Sequence, residues 1–371
     1  MNISIINQER LLKAKIAYTS RNLRVESVAT LLQGDGVVPD TGDMLLARVT
    51  KIGQRSGLEL AHGHRSALSV GDEIIVCYGN RYAPDQFEAQ VPNDLGACDL
   101  VASGGIAARM NYHHANVKAP TSIQPIGLLA DSKKQRINLK DNALPKLVSL
   151  FPHPYTVAVV GTAMNADKTA TAATMIRSLA NAGYTVGVAK VTGNNSGRDT
   201  WLMTDAGSKL TLDFTHAGFP STYLATPEQV DHIIKTLVTH LSVAKMDAIV
   251  IEVAGGLLQY ETDTLLNSKV FAKIVDSVIL AAGNAMDAAA GITSLKRKKL
   301  PVTAISGRLT ASPLAVIEAI DATGLPVLDK ATLSSQTIVD VLQIPPLRIP
   351  SSQSMLASLG QRTTTTASHE Y

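Results

Sequence analysis

The chain has 371 residues, 45% of them hydrophobic and 18% charged, with a formal net charge of +3. That length suits two domains and that composition an ordinary globular protein. A near-neutral balance argues against a nucleic-acid partner, because such binders concentrate a basic excess on one face. The dense basic run Lys296-Arg297-Lys298-Lys299 reads as a solvated helix end. No window approaches the roughly 18 apolar residues of a membrane span. The first 33 residues lack the uninterrupted apolar core of a secretory signal. Two cysteines, Cys77 and Cys98, are too few for a disulfide framework. The expectation is a cytoplasmic protein with free thiols, acting on a small molecule, with neither membrane nor nucleic acid as partner.

Along the chain, residues 1–30 read as one helix, with Leu11, Leu12 and Ile16 on a face, leading into a strand. From Leu31 to Leu100 short β-like runs alternate with Gly-Asp turns: Met44 to Thr50 follows Gly42-Asp43, and Glu73 to Tyr78 follows Gly71-Asp72. Such a texture suggests a small barrel or sandwich. Gly79 to Pro84 and Gly104-Gly105 read as polar loops, and Ile123 to Leu147 as a polar connector. Pro152 and Pro154 mark a boundary. Beyond it, apolar strands at 155–160, 185–190, 247–252, 277–281 and 301–305 alternate with helical patterns at 168–182, 227–242, 285–298 and 313–321. Alternation at this spacing predicts a parallel α/β sheet with right-handed crossovers and helices on both faces. The predicted organisation is a β-rich barrel- or sandwich-like domain over 1–150, an α/β domain over 151–344, and a disordered Pro/Ser/Thr-rich tail over 345–371.

The stretch Gly161-Thr162-Ala163-Met164-Asn165-Ala166-Asp167-Lys168-Thr169 joins the first of these apolar strands to a helix. A phosphate-binding loop works in that position because successive backbone N–H groups point at phosphate oxygens from a helix N-terminus. A lysine bridges the phosphates and a threonine hydroxyl reaches Mg²⁺. Ala172, Met175, Ile176 and Leu179 form the buried stripe of the helix that follows. The next strand leads into Lys190-Val191-Thr192-Gly193, and a later one ends in Glu252-Val253-Ala254-Gly255-Gly256. Ligands of parallel sheets bind beyond the carboxyl ends of the strands, so Lys168, Lys190 and Glu252 should converge on one crevice.

The segment from about 155 to 310 resembles dethiobiotin synthetase and its relatives among the P-loop NTPases of the MinD and signal-recognition class. The family's loop reads G-T-D-x-x-x-G-K-T, its second strand ends in K-P-V-x-S-G, and its acidic strand ends in V-E-G-A-G-G. The counterparts here are Gly161-Thr162…Lys168-Thr169, Lys190 to Gly193, and Glu252 to Gly256. The resemblance implies a nucleotide on Gly161, Thr162, Asn165, Ala166, Asp167, Lys168 and Thr169, with Gly255 and Gly256 beside it. It implies Mg²⁺ on Thr169, Glu252 and Asp199 (Asp205 being the runner-up), and catalysis by Lys168, Lys190 and Glu252. The implied reaction is ATP-dependent activation of a small carboxylate or carbamate, as in a ligase or cyclase, in a protein that can dimerise across its nucleotide face.

Three departures qualify that reading. Ala163 stands where the family has Asp, and Asp167 where it has Gly. A carboxylate about 4 Å from a phosphate costs about 1 kcal/mol in water and about 4 at an effective dielectric of 20. That corresponds to roughly tenfold to several hundredfold in affinity. Ser306-Gly307-Arg308 occupies the place of the base-reading Asn, which leaves ATP and GTP both open. The alternative is therefore a nucleotide-binding regulatory or scaffold protein whose hydrolysis Asp167 weakens or abolishes.

Asp213 to Thr222 reads as a polar substrate lid over the same sheet edge. His62, His64, His113 and His114 lack Cys or acidic partners at zinc-ligand spacing. Gly-x-Ser-x-Gly is absent, and no Ser-His-Asp arrangement is readable.

Overall fold

The computed structural model describes residues 2–147, 153–194, 196–335 and 337–347. Pro152 and the tail from 348 onward, both named above, lie outside them. Two large sheets organise these residues, one over the first 130 and one from Tyr155 to Ser306.

In the first sheet, β1 (Met44–Lys51), β2 (Glu73–Tyr78), β3 (Cys98–Ala102), β4 (Ile106–His113) and β5 (Thr121–Ala130) pair in a closed circuit. The circuit runs β5–β1–β2–β4–β3 and back to β5. Its pairs are antiparallel except the parallel β2–β4. Closure makes it a barrel and leaves these five strands no free edge. Side chains alternate as the pleat requires. Leu45, Ala47, Val49, Ile74, Val76 and Tyr78 fill the interior. Met44, Leu46, Ile75 and Cys77 face outward under Leu11, Leu23 and Val28. Cys77 and Cys98 are buried free thiols.

Two expectations fail in this region. Residues 1–30 are not one helix: strand Asn2–Ile5 precedes a short helix Gln8–Lys13, and Ala14 ends it in extended backbone. Ile123 to Ala130 is no connector but most of β5, the longest barrel strand. Pro125 disguised it, since proline cannot donate to a ladder and is tolerated in strands at edges and bulges. Here the β5–β1 register shifts between Pro125 and Gly127.

The second sheet holds β6 (Tyr155–Gly161), β7 (Val186–Thr192), β8 (Leu210–Asp213), β9 (Ala248–Val253), β10 (Ser277–Ala281) and β11 (Val302–Ser306). Their order is β8-β7-β9-β6-β10-β11, all parallel. The five expected strands and four expected helices are present. The helices are α1 (Lys168–Asn181), α3 (Pro227–Val243), α5 (Ala285–Arg297) and α6 (Pro313–Thr323). The sequence reading missed β8, α2 (Gly197–Asp205) and α4 (Tyr260–Leu266). Successive β6 side chains go to opposite faces: Ala158 and Val160 pack on the α3 side, Val157 and Val159 on the α1 side. Burial on both faces is why the strands read as continuous apolar runs. The β6–loop–α1 unit is a strand–loop–helix set inside a parallel sheet covered on both faces. No helix among the described residues is long and apolar enough to cross a membrane.

Candidate functional site

The loop after β6 bends because of what crosses it. A Cβ on Gly161 would lie 2.6 Å from Cδ of Lys168 and 3.0 Å from its Nζ, so only glycine lets that side chain run back under the loop. Gly256 is required in the same sense. Its absent Cβ would sit 2.8 Å from the Thr162 carbonyl oxygen, so the β9 exit packs directly on the loop. Asp167 caps α1 with φ 64° and ψ 33°, the left-handed conformation in which the family carries glycine. Asp is among the few other residues that tolerate it. The Asp167 side chain is exposed and makes no capping hydrogen bond. Among the described residues, the backbone N–H groups of Met164 to Asp167 donate to no backbone acceptor. They are therefore free to meet an anion at the start of the α1 dipole.

Five of the expected residues meet. Lys168 is buried, and its Nζ donates to the Ala163 carbonyl at 2.7 Å and the Met164 carbonyl at 3.3 Å. Burial pushes its pKa down to about 8, against an upward pull from Glu252. Thr169 Oγ1 donates to Glu252 Oε1 at 2.5 Å. Glu252 is 1% exposed, and its Oε2 has no hydrogen-bond partner. Lys190 Nζ bonds Asp199 in the first turn of α2 and lies 3.7 Å from Glu252 Oε2. Burial works against the Lys190 charge, but Asp199 and Glu252 outweigh it and raise its pKa.

A Mg²⁺ ion fits this donor set. Magnesium takes oxygen ligands, commonly one or two carboxylates with phosphate oxygens and water. Thr169 Oγ1 and Glu252 Oε2, which makes no hydrogen bond, are such oxygens; Lys190 lies 3.7 Å from that carboxylate oxygen and bonds Asp199 directly. No group of three or more His, Cys, Asp or Glu side chains placed to hold a metal ion occurs among the described residues.

Other expected residues sit apart. The Thr162 N–H donates to Ala281 O at 3.0 Å, and Thr162 lines a smaller neighbouring recess with Gly256. Gly255, at φ 86°, faces Gln259. Ala166 is buried, and its carbonyl lies against Gly307. Asn165 is not apart: it lines one cavity with Lys168 and Thr169, and its Nδ2 donates to Asp85 Oδ2 at 2.6 Å, tying the loop to the barrel side. Asp205 ends α2 and belongs to a separate recess.

The barrel side of the same chain faces the Gly161–Thr169 loop. Between them lies a cavity of about 660 Å³, with Met164, Lys168, Thr169 and Asp199 on one wall. Arg55, Arg81, Ser103 and Gly104 form the other. The sequence places Arg81 and Gly104 on polar loops but gives Arg81 no role, and Arg55 stands alone without a motif.

The segment read as a lid is a buried seam. Asp213 is 1% exposed, and Phe214 and Thr215 are buried behind it. The Tyr18 hydroxyl donates to Asp213 Oδ2 at 3.1 Å, and Arg21 Nη2 reaches the same oxygen at 3.2 Å. Burial would raise the Asp213 pKa, but Arg21 and His216 hold it well below the usual carboxylate range. Glu59 Oε2 accepts the Gly197 N–H at 2.7 Å, supplying from the barrel side the cap that Ser196 does not give α2.

No protein-family model matches the chain, and no curated protein matches its sequence. Among solved structures it is similar to the signal recognition particle 54 kDa protein of Aeropyrum pernix K1, crystallised with GDP. That match has 19% identity and a TM-score of 0.36, over 60% of this chain and 52% of that one. A DUF1611 family protein from Anabaena variabilis gives 14% identity and a TM-score of 0.39, over 56% and 63%. The signal recognition particle receptor FtsY from Elizabethkingia anophelis gives 13% identity and a TM-score of 0.35, over 57% and 76%. The chain spans about half the length of the first of these.

Proposed function

We propose that the chain is a Mg²⁺-dependent, nucleotide-utilising enzyme that transfers the γ-phosphoryl group of ATP to a small carboxylate or carbamate. The observation that carries this reading is the meeting of buried Lys168 and Glu252 with Thr169, whose hydroxyl donates to Glu252. Glu252 Oε2 makes no hydrogen bond and lies 3.7 Å from Lys190 Nζ, and the loop that precedes Thr169 carries backbone N–H groups with no backbone acceptor.

Phosphoryl transfer asks mainly for positioning and charge stabilisation. An acceptor oxygen attacks the γ-phosphorus, and the bond to the β–γ bridging oxygen breaks. Its electron pair leaves on ADP, and an acyl phosphate is formed. Lys168 would exchange its two loop carbonyls for phosphate oxygens, regaining a full counter-charge. Free loop N–H groups would cradle the β-phosphate. Lys190, held by Asp199 and close to Glu252, would fix the carboxylate and add positive charge toward the γ-phosphoryl. Bound Mg²⁺ would supply neutralisation of the β- and γ-oxygens on Thr169 and Glu252.

ATP and a carboxylate acceptor rest on the resemblance to dethiobiotin synthetase, while the signal recognition particle protein was crystallised with GDP. Both nucleotides therefore belong in the test. Calorimetric titration of Mg-ATP and Mg-GTP into the full chain should give micromolar binding of one of them. Lys168→Ala should weaken that binding by about a hundredfold or more, the equivalent of about 3 kcal/mol. Equal affinity in wild type and Lys168→Ala would sink the proposal.

A further inference from the structure

Opposite the phosphate loop, the cavity wall contributed by the barrel side carries guanidinium groups without carboxylate partners. Arg81 is 5% exposed, and its Nε and Nη1 have no hydrogen-bond partner. Only Nη2 is engaged, donating to Gln86 Oε1 at 2.8 Å. Arg55 stands beside it: both guanidinium carbons lie near the Phe87 ring, at 5.5 Å for Arg81 and 6.0 Å for Arg55. Nε of Arg55 is also buried and unpaired. No ion pair among the described residues includes Arg55, Arg65 or Arg81.

The nearby carboxylates make no hydrogen bond to these guanidinium groups, although Asp85 attracts Arg81 and Glu59 attracts Arg55 from a distance. Glu59 accepts the Gly197 N–H, Asp85 accepts from Asn165, and Asp199 is bound by Lys190. Burial first, then Arg55, pushes the Arg81 pKa down to about 9, and burial with Arg65 lowers that of Arg55. Adjacent like charges with unmet donors are costly to bury. Ring contacts at 5.5–6.0 Å lie at the outer limit of cation–π attraction and offset only part of that cost. Around the whole cavity six cationic side chains face three acidic ones, and an anion would complete what the protein leaves open. A guanidinium fork suits a planar or tetrahedral oxyanion, which it can bind through two parallel hydrogen bonds.

We propose that Arg81 and Arg55 form a binding site for an oxyanion group, carboxylate or phosphate, on the small molecule that this cavity takes. The inference rests on the proposed reading that the facing loop holds the nucleotide. It adds that the acceptor carries an anionic group besides the one that is phosphorylated. The barrel then anchors the anionic end and turns the other end toward Lys168. This gives the β-rich part a role in substrate selection.

The test uses the full chain and three probes: malonate, inorganic phosphate and Mg-ADP, each titrated calorimetrically into wild type, Arg81→Met, Arg55→Met and Lys168→Ala. Circular dichroism melts check that each variant is folded, and the two arginine variants provide independent readings should one fail to fold. Wild type should bind malonate or phosphate, the preferred probe revealing which oxyanion the site takes. Each arginine variant should bind it about tenfold more weakly or worse, the expected loss of a charge-assisted hydrogen bond. Lys168→Ala should keep the arginine-dependent part of that affinity within about twofold, because Lys168 stands on the opposite wall of the cavity. Mg-ADP should behave in the opposite way, lost in Lys168→Ala and kept in Arg81→Met. Arginine-dependent anion binding without Mg-ADP binding would support the anion site and remove the nucleotide reading. Anion binding that is absent from wild type, unchanged in both arginine variants, or lost in Lys168→Ala overturns the inference.

Discussion

Asp167 is the residue on which the sequence and the structure differ most in emphasis. In the sequence it is a carboxylate intruding on a phosphate loop; in the structure it holds the left-handed turn that glycine would hold and leaves its side chain exposed. Solvent screening favours the lower end of the electrostatic cost, about 1 kcal/mol. Asp167→Gly should therefore tighten Mg-nucleotide binding by about tenfold or less, with the gain shrinking as salt rises. A gain of several hundredfold that is insensitive to salt would contradict that placement. Lys168 gives a second prediction. Its pKa is depressed to about 8 in the free protein, by burial above all, and a bound polyphosphate raises it. Binding should thus take up a proton near pH 8–9, none near pH 6.5, and affinity should fall as pH rises through 8. Calorimetry in buffers of different ionisation enthalpy measures this, and proton release on binding would contradict the assignment.

At the scale of elements, legibility followed burial. Strands covered on both faces, such as β6 and β9, are unbroken apolar runs and were readable to within a residue or two. So was α3, which Thr226, Pro227 and Gln229 start with a capping box. Lys168, Thr169, Lys190 and Glu252 were readable because each sits at a strand end or helix start of that regular unit, whereas Asp199 came only from the resemblance, on a helix that local sequence does not announce. What escaped was tertiary in origin. Strand β5 hides behind Pro125 and a bulge; α2 is a short helix capped from the barrel side by Glu59 rather than by its own Ser196. Strand β8 has only four residues and ends in Asp213, whose burial depends on Arg21 and Tyr18 nearly 200 positions earlier. Local sequence carries no trace of such partners. The same is true of Arg55 and Arg81, which acquire meaning only when the barrel closes opposite the loop.

At the scale of the molecule, the buried seam joins the barrel to the sheet edge that bears the site. Arg21→Met would remove the arginine from the buried Asp213 carboxylate but leave Tyr18, Thr215 and His216 on it, so the loss should be about 3 kcal/mol or less, the low end of the cost of breaking a buried pair. Urea denaturation at pH 7 should show a loss of that order, carried by one cooperative transition. The native Asp213 pKa is depressed, so its stabilisation is present above the ordinary carboxylate range and is lost as pH falls below about 3.9. The gap between variant and wild type should narrow there; a gap unchanged with pH would place the cost elsewhere. The central claim is that Lys168, Thr169 and Glu252 form one metal-assisted phosphate site. The most direct measurement is nucleotide affinity with and without Mg²⁺ in wild type and Glu252→Gln. Mg²⁺ should strengthen binding about tenfold or more in wild type and leave the Glu252→Gln affinity unchanged. Nucleotide affinity indifferent to Mg²⁺ in wild type, or an undiminished Mg²⁺ effect in the variant, would contradict it.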